Sequence, residues 1–125
     1  MATATKAKPR ASGGHGHNQD QGGPQLLIST LLSNEGGTYI AQCLEWDIAA
    51  QDQSPTKALQ AFEVVFWTRV MRDVEKGRDI LENVESAPDD LWEQFRSGMP
   101  FRNPYPLKPP ASVRVRAATE IRLAA

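Results

Sequence analysis

Cysteine occurs once, at Cys43, and histidine twice, at His15 and His17 near the N-terminus. A single cysteine forms no internal disulfide and has no partner for a cysteine-based zinc site. It reads as a small buried hydrophobe in a reducing, cytoplasmic setting. With no histidine after residue 17, neither a Ser/His nor a Cys/His nucleophile pair is available to a folded domain. His15 and His17, in the tail stretch "HGH", make too sparse and loose a donor set for a functional metal site. No apolar run approaches the about 18 residues of a membrane span, and the polar N-terminus has no apolar core of a secretory signal. No glycine-rich phosphate loop leads into a helix. These absences set the chemical expectation: no catalytic residues, no metal, no cofactor, no membrane, not an enzyme.

Charge is present but unevenly placed. The formal net charge is -1. Lys6, Lys8 and Arg10 make residues 1–20 basic, the stretch 21–100 is acidic, and residues 101–125 are basic through Arg102, Lys108, Arg114, Arg116 and Arg122. An acidic middle with basic ends either folds back on itself or offers its ends to an anionic partner.

Residues 1–24 hold one bulky apolar side chain, Met1, too little to offset the entropy of ordering, and are expected to be a disordered tail. The stretch 25–98 is expected to be one α+β domain. "QLLISTLL" is one strand long and aliphatic. Asn34, Gly36 and Gly37 tolerate positive φ and predict a hairpin turn. "TYIAQCLE" returns antiparallel, with Tyr39, Ala41 and Cys43 on one face and Ile40, Gln42 and Leu44 on the other. "DIAAQ" follows as a short third strand after a kink at 45–47. Ser54-Pro55 is a helix start, and the helix should run to Lys76 and stop at Gly77. Leu59, Phe62, Phe66 and Val70 make its core stripe. Val64, Trp67 and Met71 form a second stripe, which is either covered by another layer or offered to a partner. Pro88-Asp89-Asp90 opens a short second helix whose Leu91, Trp92 and Phe95 are expected to cover Trp67 and Met71.

Proline crowds residues 99–111, which are expected to be an extended linker. Residues 112–124 then alternate strictly. Positions 113, 115, 117, 119, 121 and 123 read Val, Val, Ala, Thr, Ile and Leu, with Arg114, Arg116 and Arg122 among the residues between them. That period of two predicts a strand that completes a sheet or swaps into another chain's, with Val113, Val115 and Ile121 pairing at an edge. The expected plan is β-β-β-α-(α)-β: a small antiparallel sheet with one main helix packed on one face.

The run "EGGTYIAQCLEWDIAAQDQSPTKAL" resembles the N-terminal domain of HicB-like antitoxins, over roughly residues 26–76. The glycine turn, the acidic corner, "AAQ" and the capped helix fall in the family's order. Asp47 and Asp52 stand where the family has glycines, and Thr56 and Lys57 replace early acidic helix residues. The resemblance implies a partial RNase H-like fold, a bacterial cytoplasmic setting, oligomerisation, and occlusion of a small HicA-type RNA-cleaving toxin. The family's ribbon-helix-helix or helix-turn-helix module has no room after the last strand, so direct operator binding is not expected.

Glu45, Asp47 and Asp52 do not make a nuclease site on this reading. The first strand carries no acid for paired metal ions, and corner acids commonly cap and solvate. The expected function is therefore a HicB-like protein-interaction module, an antitoxin or an orphan relative without a toxin, with Val64, Trp67 and Met71 meeting the partner. The alternative is a small nucleic-acid binder whose Arg114, Arg116 and Arg122 engage phosphates.

Overall fold

The computed structural model describes residues 25–103 and 107–125; the expected N-terminal tail lies outside the described residues. Seven elements follow in order: β1 Gln25–Glu35, β2 Thr38–Cys43, β3 Ile48–Asp52, α1 Pro55–Glu75, α2 Asp89–Arg96, β4 Met99–Pro100 and β5 Arg116–Leu123. The class is α+β, with α1 as the main helix on one face of a five-stranded sheet ordered β3-β2-β1-β5-β4.

The hairpin forms where the glycines are. Gly36 and Gly37 take φ of 62° and 90°, which a Cβ resists, and the Gly37 N–H donates to Asn34 Oδ1 at 3.1 Å. β2 then pairs antiparallel with β1, and β3 antiparallel with β2. Alternation sends Leu26, Ile28 and Leu32 of β1, and Ala41 and Cys43 of β2, into the core beneath α1.

Ser54 starts α1 as its spacing predicts: extended backbone, and a hydroxyl that accepts the Lys57 N–H at 3.1 Å. Pro55 occupies the first turn, and Gly77 follows the helix at φ 69°. The expected core stripe is buried: Leu59, Phe62, Phe66 and Val70 are each 5% exposed or less. α1 lies over β3 and β2. The rest of that face is filled by Leu81, Val113 and Val115, with Phe101 and Leu107 at its margin.

The last strand departs from the expected antiparallel plan. β5 runs parallel to β1, Gln25 opposite Arg116 through Leu32 opposite Leu123, while β4 adds antiparallel at its far side. The sheet is therefore mixed. A parallel neighbour needs a long crossover, and the chain from α1 to β5 supplies it. β5 is also shorter than the expected 112–124. Residues 99–111 are more than a linker, since Met99–Pro100 form an edge strand, where proline's missing N–H does least harm.

α2 also sits elsewhere than expected. The Asp47 N–H donates to the Glu85 carbonyl (2.7 Å) and the Ala87 N–H to the Leu44 carbonyl (2.9 Å), so residues 85–87 run along the corner after β2. This guide places α2 on the face opposite α1. There Phe95 packs with Leu31, Leu44 and Ala87, bordered by Leu91 and Trp92. It does not cover Trp67 and Met71.

Candidate functional site

The second stripe of α1 divides in the structure. Trp67 is 5% exposed and belongs to the core, its ring edge-on to Phe66 at 4.9 Å. Its indole N–H is buried with no hydrogen-bond partner among the described residues. Met71 is half-buried against the same cluster. Val64 alone of the three stands out, 67% exposed in mid-helix, with Val65 beside it at 43%. Gln60 and Thr68, one turn to either side of Val64, are exposed too. This outer strip is an apolar centre with a polar rim, whereas Trp67 is held inside by the segments that fill the helix's flank.

The predicted edge-strand residues divide in the same way. Val113 and Val115 precede β5 and are each 6% exposed in the core; the Val113 N–H donates to the Pro110 carbonyl at 2.9 Å. Ile121 lies in the ladder, opposite Thr30, and its carbonyl accepts the Phe101 N–H at 2.9 Å. The strand's edge is thus met within its own chain at Ile121.

Of the three arginines, Arg122 is engaged. Its guanidinium pairs with Glu120 at 2.8 Å, stacks over the Phe95 ring with a centroid distance of 5.0 Å, and donates to the Phe95 and Arg96 carbonyls at 3.4 and 3.2 Å. Those carbonyls lie at the C-terminal end of α2, where a cation is favoured, and the Phe95 carbonyl also accepts the Gly98 N–H at 3.1 Å. Sequence alternation marks Arg122 as a solvent-facing cation but carries no sign of α2 beside it. Arg114 and Arg116 are exposed.

The acidic corner is built for structure. Glu45 Oε1 accepts the Ser29 N–H and Oε2 the Ser29 hydroxyl, both at 2.7 Å, tying the corner to β1. Burial pushes the Glu45 carboxyl above the usual range, against the opposing pull of the two Ser29 donors. Cys43, 2 residues before it, is fully buried, and burial together with the Glu45 charge drives its thiol strongly upward. The thiolate is accordingly disfavoured, the opposite of an activated nucleophile. Asp47 Oδ1 accepts from Gln42 Nε2 at 2.7 Å, and Asp52 Oδ1 from the Gln53 N–H at 2.7 Å. Each acid has its own partner, Asp47 and Asp52 close in sequence and Glu45 on β1. Among the described residues no group of three His, Cys, Asp or Glu is placed to hold a metal ion.

A further buried carboxylate carries no signal in the sequence. Asp73, 1% exposed, accepts the Leu81 N–H at 2.8 Å and the Arg78 guanidinium at 3.1 Å, with Arg69 at 3.5 Å. Burial alone would raise its pKa; the Leu81 N–H and the two guanidiniums outweigh it and hold the carboxyl below the usual range. Leu81, fully buried at φ 60°, sits in a conformation that costs an L-residue energy, and the Asp73 bond helps to fix it there. The node locks the turn after α1 and is structural.

No described helix is long and apolar enough to cross a membrane. Comparison with family models, with curated proteins and with solved structures returned no match.

Proposed function

We propose that this chain is a protein-interaction module of HicB-like plan, acting in the cytoplasm, whose outer α1 strip receives a small protein partner of the HicA-type toxin class. The observation that carries the reading is Val64: a β-branched apolar residue 67% exposed at the centre of the longest helix, beside Val65. A helix surface of this kind, apolar at its centre and polar at its rim, suits a partner that buries the centre. The partner class rests on the resemblance of residues 26–76. An orphan relative would keep the strip and lack the toxin.

The test is titration calorimetry of the full chain with a HicA-type toxin, using Val64→Asp and Trp67→Ala. Val64→Asp is expected to leave stability within about 0.5 kcal/mol while weakening binding at least tenfold. Trp67→Ala is expected to lose about 3–5 kcal/mol of stability, because it empties a core position. Binding indifferent to Val64→Asp, or no binding by the wild type, contradicts the reading.

Nucleic-acid binding by the C-terminal strand retains Arg114 and Arg116 as exposed cations, because Arg122 is held by Glu120 and the end of α2. Two exposed arginines make a small electrostatic footprint.

A further inference from the structure

We propose that the outer edge of β3 is a self-association surface, on which a second copy of the chain adds its own β3 antiparallel, centred on Ala50.

The two edges of the sheet differ. The β4 edge is two residues long and contains Pro100, both of which discourage strand addition. The β3 edge is five residues long, "IAAQD", in unbroken register with β2 from Ile48 to Asp52. It has no proline, no bulge, and no charge before Asp52. Among the described residues nothing pairs with its outer side.

Its side chains suit a copy of itself. For both copies to keep α1 on the same side of a continuous sheet, residues on the same face must oppose one another, so the pairing centres on a residue. With Ala50 at the centre, Ala49 lies opposite Gln51 of the second copy and Ile48 opposite its Asp52. Asp47 then falls opposite Gln53. Neither carboxylate meets another carboxylate, and the centre is two alanines. Ile48 and Ala50, half-buried against the core, would be covered further.

The helix layer fits the same symmetry. One flank of α1 is occupied: Trp67 is buried, and Glu63 Oε2 accepts the Lys108 N–H at 3.2 Å. The opposite flank carries Ala58, Ala61 and Val65, with Val65 43% exposed. α1 packs on β3 and β2 together. A helix above the midline of two strands stands about half a strand spacing inside the edge. With strands about 4.8 Å apart, the two α1 axes across the dyad come to about 10 Å. That is the upper end of ordinary helix packing distance, about 8–10 Å. Stepping back from Asp52 to Ala50 along β3 corresponds to about four residues of helix rise. This brings the second turn of α1, which carries the small residues Ala58 and Ala61, close to the dyad.

Sedimentation equilibrium of the full chain over a concentration series tests this. The wild type is expected to be a dimer. Ala49→Lys with Gln51→Lys places like charges opposite each other on the exposed face and is expected to give a folded monomer with an unchanged circular dichroism spectrum. Ala49→Lys with Gln51→Glu restores opposite charges and is expected to dimerise again. A wild type monomeric throughout overturns the proposal. So does a dimer that tolerates the lysine pair, or a Lys/Glu variant that stays monomeric.

Discussion

At the residue scale the most informative side chain is Glu45. It satisfies both the N–H and the hydroxyl of Ser29, yet burial raises its pKa. In the window between the ordinary glutamate value, about 4.3, and the raised native value, the folded chain holds a proton that the unfolded chain has released. Stability therefore falls as pH rises through that window. Glu45→Gln keeps an acceptor for the Ser29 N–H and cannot ionise. Its urea-unfolding free energy is expected to lose that downward slope and to equal or exceed the wild type's at neutral pH. Glu45→Ala leaves the Ser29 donors without the carboxylate and is expected to cost about 1–3 kcal/mol across the range. Wild-type stability that rises from pH 4 to 6 where Glu45→Gln is flat would overturn this assignment. The sequence places Glu45 in the corner and assigns it to solvation. It does not reveal Ser29 16 residues away, because a long-range hydrogen bond leaves no periodic trace. Trp67 and Asp73 escape for the same reason: helical spacing puts Trp67 on a second stripe, and only the described segments that follow α1 decide whether that stripe is covered.

At the element scale, local signals carry through where local chemistry decides. Ser54-Pro55, the glycine turn and the Pro88-Asp89-Asp90 start each fall at an observed boundary, because caps and turns are settled by a few neighbouring residues. The destination of α2 is not of this kind. Its apolar face fits either side of the sheet, and the choice is made by the backbone bonds of residues 85–87 to the corner. Gly98 reports on that docking. A Cβ there would meet the Leu123 carbonyl oxygen at 2.7 Å and the Gln94 carbonyl oxygen at 3.2 Å, both backbone atoms with little room to move. Gly98→Ala is expected to lower stability by about 1–3 kcal/mol through overpacking, measured by denaturant unfolding. A neutral result would mean that α2 and β5 are not in this close contact. Phe95, capped from β5 by Arg122, ties the same two elements together on the other side of the glycine.

At the scale of the whole molecule, alternation announces a C-terminal strand but not its direction or its neighbour. Direction depends on where the crossover delivers the chain, and a period-two pattern is identical for parallel and antiparallel pairing. The structure seats β5 between β1 and β4 of the same chain. Val113 and Val115, just before it, complete the core over which α1 lies. The outer strip of α1 and the edge of β3 are then left for other molecules, so the proposals for both surfaces depend on the chain closing its own sheet. Residue-resolved amide hydrogen exchange on the full chain tests this most directly. Amides of Ala117 to Leu123 that bond into the β1 and β4 ladders are expected to be protected to nearly the degree of the central β1 amides and to exchange with them in one cooperative opening. Exchange of that segment at the rate of an unstructured peptide, while β1 and β2 stay protected, would contradict the account.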